Sequence, residues 1–585
     1  MAKSAVERDS KDHALLVVAA MFTLTALLWT AGAASAVIAG HAVPHHDLLA
    51  GLASFAHGGD PSVAWHHPVG PAALYWATTA VVLMAAASIA WLGWRAAVSH
   101  SARHRHAPDG IAKRHQVKAS AGSRALVKRA STLRPSLSQP ACREVGYRLG
   151  RSRGVDCWAS VEDSILLLGP PRSGKGTSVV IPMILDAPGA VVTTSTRPDN
   201  LAVTLAARQK RGPVAIFDPQ GLARASGVMP SLRWSVVQGC RRPQTAMLRA
   251  ETLVPSSGRS GMENGTFWRQ QALTVVRCLL HAAALDGRPP VHLYRWSHAA
   301  AGAKEAVAVL ADDRGAAPGW DRALDAVLSA DQRTRDSVWA LVANTFAPLA
   351  DPDVLAAVSP APGDEFDPTV FLRDHGTLYL LGSASGASAT ASLVAALVED
   401  VVDTAKRQAA SSTGARLDPP LALLLDEASN YPLPSLPSLM SEGGGSGITT
   451  LAVLQSLAQA RDRWGTEAAG AIWDSAIAKI VLGGSTNAED LAGISRLIGD
   501  REVQETTRTH GHRAGETSVS VSIRRHPILE PSDIRQIPVG QGLLLLRSAP
   551  PIMLDLQPWT DRRDAGELRR GREVYEVAMR MAADA

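Results

Sequence analysis

Leu166-Leu-Leu-Gly-Pro-Pro-Arg-Ser-Gly-Lys-Gly-Thr177 is the stretch that decides how this chain folds. An apolar run enters a loop bounded by Gly169 and Gly174 and closes on Lys175, so that a buried strand feeds a tight turn and then a helix N-terminus. Such a turn wraps the phosphates of a nucleotide. The candidate cradle is Gly169, Pro170, Pro171, Arg172, Ser173, Gly174, Lys175, Gly176 and Thr177, with Lys175 reaching the β and γ oxygens. Far downstream, Leu421-Ala-Leu-Leu-Leu-Asp426-Glu427 is a second buried-strand run, and it ends in two carboxylates. Asp426 suits Mg²⁺ and Glu427 suits polarisation of an attacking water, the division of labour of a P-loop NTPase. One position departs from the strict pattern. The residue after the lysine ordinarily carries a hydroxyl for the metal, but here it is Gly176, and Thr177 takes that role directly or through a water.

At 585 residues the chain is too long for one core. Its four cysteines, Cys142, Cys157, Cys240 and Cys278, lie far apart without paired spacing, which points to reduced cytosolic thiols and away from a zinc site or a disulfide framework. Two apolar runs, 14–39 and 72–94, contain no charged residue and are each long enough to cross about 30 Å of hydrocarbon as a helix. The segment Ala34-Ser-Ala36 resembles a signal-peptide cleavage site, but the length of the run and the second span after it favour a transmembrane helix. Between Lys11 and Arg95 there is no Lys or Arg, whereas Arg95 to Arg153 holds fourteen of them against Asp109 and Glu144. By the positive-inside rule, 1–13 is a cytoplasmic N-terminus, 40–71 an external loop and 95–144 a basic cytoplasmic linker. The protein is expected in the cell membrane, crossing it more than once, with its catalytic part in the cytoplasm. That basic cluster exceeds the whole chain's net charge of +5, so the catalytic part is mildly acidic. The cluster suits anionic headgroups and is not evidence for nucleic-acid binding.

The nucleotide-binding region begins near Val145, its first helix kinked at Pro182. Strand signals follow at Ala190 to Thr193 and Val214 to Phe217, and a helical pattern runs from Phe267 to Leu285. Between 287 and 357 the β signal disappears and apolar residues recur at helical spacing, as in Val338, Leu341, Val342 and Phe346. This predicts an inserted all-α domain. Strands return at Thr377 to Leu381, Leu421 to Leu425, Ile448 to Leu454, Ala478 to Leu482 and Gly542 to Leu546. The expected fold is α/β, a parallel sheet in two parts, 145–286 and 358–560, around the all-α insertion, with a tail at 561–585. Gln455 falls at the carboxyl end of its strand, where its amide can orient water against a γ-phosphate.

Taken together these motifs resemble the TraG/TraD-type coupling proteins of conjugative type IV secretion systems, membrane-anchored relatives of FtsK-type DNA motors. The resemblance rests on Gly169 to Thr177, Thr194-Ser-Thr-Arg-Pro-Asp199, Phe217-Asp-Pro219, Phe267-Trp268 and Leu425-Asp-Glu-Ala428. It continues through Ser441-Glu-Gly443, Leu454-Gln-Ser-Leu-Ala-Gln459 and Ile537-Pro-Val-Gly-Gln541. It implies a RecA/FtsK-like ATPase domain using ATP and Mg²⁺, assembled as a homo-hexamer with ATP sites between subunits. An all-α domain would help receive DNA bound to a relaxase, and the channel components of the secretion system would be partners. Carried over residue by residue, it makes Lys175 the phosphate ligand, Asp426 the Mg²⁺ ligand, Glu427 the water activator and Gln455 the γ-phosphate sensor. The implied function is ATP-driven recruitment of relaxase-bound DNA to the channel and conjugative transfer.

One departure bears on hydrolysis. Many relatives read Glu-Gly-Arg where this chain reads Glu442-Gly443-Gly444-Gly445, and an arginine acting in trans can be worth several powers of ten in rate. Arg461, Arg463 and Arg496 are candidates for that role, without spacing support. Two alternatives therefore stand beside the coupling ATPase: an FtsK-type DNA translocase, and a membrane receptor that binds ATP without hydrolysing it and recruits protein substrates.

Overall fold

Apolar runs that need cover on both faces form the centre of an eleven-stranded sheet. The structure, a computed structural model, describes residues 21–45, 49–103, 109–221, 231–255, 265–382, 387–510 and 517–583. The expected N-terminus 1–13, and the start of the first span at 14–20, lie outside the described residues. In chain order the strands are β1 Gly146–Ser152, β2 Val155–Ser160, β3 Ile165–Leu168, β4 Val191–Ser195, β5 Val214–Phe217, β6 Thr377–Leu381 and β7 Leu421–Leu425. They continue as β8 Ile448–Leu454, β9 Ala478–Leu482, β10 Asp500–His510, β11 Thr517–Pro527, β12 Gln541–Leu546 and β13 Ile552–Asp555.

The chain divides into two units, Met1–Ala107 and Pro108–Ala585. In the first, the helical segments Met21–Ile38 and Ala72–Gly93 are long and apolar enough to cross a membrane. Ala50, Trp65 and Val69 of the intervening loop form a small core with Tyr75 of the second segment. Ser35 Oγ donates to the Val69 carbonyl at 2.6 Å, and a Cβ on Gly32 would fall 2.3 Å from the Trp65 ring, so that helix passes the indole at a point where only glycine fits.

In the second unit the sheet order is β2-β1-β13-β12-β9-β3-β8-β7-β4-β6-β5. From β9 to β5 every pairing is parallel, and β3, β4, β6, β7 and β8 are buried at every position. The expected parallel sheet is mixed, however: β12 runs antiparallel to β9, and β13, β1 and β2 continue antiparallel. Short turns account for two of these pairings, β1 with β2 and β12 with β13, because a parallel neighbour needs a crossover of a dozen residues or more.

Between β5 and β6 every element among the described residues is helical, from Pro243–Leu253 through Pro368–Arg373, and the predicted insertion at 287–357 lies within that run. It is anchored at Arg249, which lies 4.5 Å over the Trp234 ring and pairs with Asp400 at 2.9 Å. Trp234 Nε1 donates to the other Asp400 oxygen at 3.0 Å. Asp400 belongs to the helix Ala387–Ala410, which follows β6.

Two segments are more ordered than their composition suggests. Within the expected linker, the helices Arg114–Ser120, Ser123–Val127 and Ala130–Leu133 send Val117, Leu126 and Leu133 into the main core. Helices this short complete too few turns to leave a readable period. The expected tail is the helix Ala565–Ala583, which buries Leu568 and Tyr575 against residues of the helix Asp199–Gln209. Finally, β10 and β11 form a separate two-stranded ribbon, on which Val521 and Ile523 are exposed.

Candidate functional site

Sheet order builds the site. The strands β3, β8, β7 and β4 are successive parallel neighbours, so the loops leaving their carboxyl ends share one edge. These loops carry, in that order, Gly169 to Thr177, Gln455, the Asp426-Glu427 pair, and Thr196.

The loop after β3 is fixed at both ends. Gly169 N–H donates to the Leu454 carbonyl of β8 at 3.0 Å. A Cβ at Gly169 would lie 2.8 Å from Ser173 Oγ and 3.0 Å from a Leu482 methyl, so a side chain there would have to displace both. Arg172 and Gly174 adopt left-handed backbone at φ 63° and 87°, turning the chain sharply into the helix N-terminus. That helix begins as a π-type turn, Gly176–Val180, and becomes regular at Ile181–Asp186. The expected irregularity at Pro182 thus takes the form of a widened turn, since proline has no N–H for the carbonyl four residues back. Thr177 is exposed, and its Oγ1 donates to the Gly174 carbonyl at 3.1 Å. At Gly176 nothing crowds the backbone: an added Cβ would have Asn200 Oδ1, 3.8 Å away, as its nearest neighbour.

The acidic pair closes β7. Thr194 Oγ1 donates to the Asp426 carbonyl at 2.8 Å, and Asn200 Nδ2 stands 3.5 Å from Asp426 Oδ2. Asp426 Oδ1 is buried without a hydrogen-bond partner. Burial pushes the Asp426 carboxyl above its ordinary range, against the pull of the Lys175 charge in the facing loop. A buried, unpartnered carboxylate oxygen close to a lysine is a fitting ligand for a hard cation shared with phosphate oxygens. Glu427 has left-handed backbone, φ 53° and ψ 49°, which costs a non-glycine residue about 1 kcal/mol or more. Its side chain is held by two donors on one oxygen: Thr196 Oγ1 at 2.8 Å and Asn430 Nδ2 at 3.0 Å from Oε2.

Gln455 is half-buried beside Leu168, Gly169 and Asp490 in a pocket next to the loop. Its N–H donates to Gln459 Oε1 at 3.2 Å, and Ser429, just after the acidic pair, reaches the same oxygen at 3.5 Å. The three arginines without spacing support are engaged locally. Arg461 pairs with Asp490 at 3.2 Å, Arg463 with Asp462 at 3.8 Å, and Arg496 Nε donates to the Ala492 carbonyl at 3.4 Å. Gly444 has no room for a substituent, because a Cβ there would lie 2.0 Å from the Glu162 carbonyl oxygen.

The loops after β3, β7 and β8 therefore bring together Lys175, Asp426, Glu427 and Gln455. Thr194, Thr196, Asn200 and Asn430 join them without having been assigned roles from the sequence. The available signal was Thr194-Ser-Thr196, two hydroxyls spaced to project from the same side of an extended strand end.

Comparison with known proteins extends this picture. A curated relative, the conjugal transfer protein TraG of Rhizobium radiobacter, is 26% identical over 144 residues, 24% of this chain and 22% of that protein. The chain thus aligns with about a fifth of that relative's length. Among solved structures, the bacterial conjugative coupling protein TrwBdeltaN70 in its unbound monoclinic form matches with a TM-score of 0.53 at 17% identity, covering 75% of this chain and 92% of that one. The plasmid coupling protein TrwB in complex with ADP and Mg²⁺ matches at 0.52 and 18%, covering 73% and 91%. The fold is thus that of TrwB, a P-loop sheet with an all-helical insertion. Residues 115–564, most of the sequence, match the family described as Type IV secretory system Conjugative DNA transfer, and the protein belongs to that family.

Proposed function

We propose that this protein is a membrane-anchored ATPase that recruits relaxase-bound DNA to a type IV secretion channel and drives its transfer, working as a homo-hexamer. The observation that carries the enzymatic part is the buried, unpartnered Oδ1 of Asp426, a carboxyl that feels the charge of Lys175 at the same sheet edge. TrwB, which shares the fold, has been solved with ADP and Mg²⁺ and with a non-hydrolysable ATP analogue.

Each residue then has a task. Lys175 and the loop Gly169 to Thr177 bind the β and γ phosphates and neutralise their charge. Asp426 and Thr177 would hold Mg²⁺, as hard oxygen donors suited to a divalent cation. When bound, the ion supplies further neutralisation of the phosphates. Glu427 takes the proton of the attacking water as a general base, and Gln455 orients that water toward the γ-phosphate. The two spans anchor the protein in the cell membrane, with the basic cluster after the second holding the nucleotide-binding unit on the cytoplasmic side.

The full chain reconstituted in membranes should hydrolyse ATP, and DNA should stimulate it. Lys175→Ala should lose nucleotide binding or turnover. Glu427→Gln should keep ATP bound while turnover falls about 10²-fold or more, the worth of a positioned general base. A second reading, the non-hydrolysing receptor, is favoured by Gly444, where no arginine can stand. Tight ATP binding without turnover, with or without DNA, would select it.

A further inference from the structure

We propose that Thr196 and Asn430 are positioning residues for the water-activating carboxylate, and that the end of β4, from Thr194 to Asn200, braces the acidic pair. The inference rests on the reading of Glu427 as the base and deepens it. Thr196 Oγ1 and Asn430 Nδ2 reach the same atom, Glu427 Oε2, at 2.8 and 3.0 Å. Two donors on one oxygen fix the carboxylate's rotation and direct its other oxygen to the water. They come from opposite sides of the acidic pair. Thr196 follows β4, the neighbour of β7, and Asn430 ends the short turn Ala428–Asn430, whose backbone N–H also donates to the Glu427 carbonyl at 2.9 Å.

The Thr196 side is itself rigid. Ser195 Oγ donates to the Arg197 carbonyl at 2.7 Å and accepts from the Arg197 N–H at 3.2 Å, pinning the backbone on either side of Thr196. Thr194 grips the backbone of Asp426 at 2.8 Å, so one strand end holds the main chain of the first acid and the side chain of the second. A residue with left-handed backbone would otherwise aim its side chain by its own rotamers alone. The β4 end therefore registers the base against the phosphate loop, and a displacement of β4 relative to β7 would turn the base away.

The test uses the full chain reconstituted in membranes and compares Thr196→Val, Thr196→Ser, Asn430→Leu and Glu427→Gln. Valine keeps the shape of threonine and removes only the donor. Thr196→Val should lower kcat about tenfold, the worth of one charge-assisted hydrogen bond, while ATP affinity and the unfolding midpoint stay at parental values. Thr196→Ser should restore most of kcat, and Asn430→Leu should behave like the valine variant. In a Glu427→Gln background the valine substitution should cost nothing further, because the group it positions no longer acts as a base. Parental kcat in Thr196→Val with Glu427→Gln inactive would overturn the positioning role and leave the base assignment standing. Parental kcat in Glu427→Gln would overturn both. A loss in Thr196→Val that tracks a fallen unfolding midpoint and that serine does not rescue would assign Thr196 a structural role instead.

Discussion

Gly444 and Gly176 are both glycines where relatives or the motif lead one to expect a side chain, and their surroundings differ. At Gly444 a Cβ would lie 2.0 Å from the Glu162 carbonyl, so Gly444→Arg should force the backbone apart and destabilise the second unit by about 1–3 kcal/mol or more. Thermal unfolding should register the loss, and ATP turnover should not rise. At Gly176 the space is open, so Gly176→Ser should fold normally and, by adding a hydroxyl next to Lys175, tighten Mg²⁺-dependent nucleotide binding. Binding titrations with and without EDTA measure this. Asp426 adds a pH dependence whose sign follows from burial: its raised pKa lets the neutral form persist to higher pH than an exposed aspartate allows. Mg²⁺-dependent affinity should therefore fall on acidification from a pH above the ordinary aspartate range, and Asp426→Asn should remove the Mg²⁺ dependence at every pH. The residues named from sequence were those whose chemistry is local in the chain, a glycine-bounded loop or a strand ending in two acids. Thr196 escaped because its partner is 231 positions away and is brought to it by the pairing of β4 with β7.

Elements were legible in proportion to their length and burial. The central strands β3 and β7 are uninterrupted apolar runs, and the long insertion helices carry a clear period, as in Gln332–Phe346. The antiparallel end of the sheet was not legible, since an apolar strand such as β12 reads alike in either direction. The ribbon β10–β11 was missed although Val519, Val521 and Ile523 alternate with serines at strand period, because β10 opposite it is mostly Thr, Glu and Arg and carries no matching apolar face. Between elements, the buried Arg249–Asp400 pair under Trp234 predicts a measurable dependence. Arg249→Ala leaves Asp400 uncompensated in the interior and should cost about 3–5 kcal/mol, seen as a lowered unfolding midpoint. Nucleotide affinity should change little, because neither the anchor nor its partners belong to the loops after β3, β7 and β8.

For the whole molecule, the charge asymmetry about the two spans gives an orientation that labelling can check. With the half-exposed Cys142 replaced by serine to remove background, a cysteine at the exposed Ala56 should react with an impermeant reagent on intact cells. One at the exposed Ser131 should react only after lysis, and the opposite pattern would reverse the topology. If neighbouring subunits complete the ATP site, specific activity should rise with protein density in the membrane, and a single-stranded DNA should raise it further by gathering subunits. That stimulation should fade as salt screens the phosphate contacts. The order of the sheet also sets a timetable for biosynthesis. The hairpin β1–β2 meets the rest of the sheet only through β13, with Arg151 opposite Asp555. While the ribosome is still making the helical insertion, that hairpin waits with its inner edge uncovered, exposed to chaperones and proteases. The first strands of this unit to be translated are among the last to be docked.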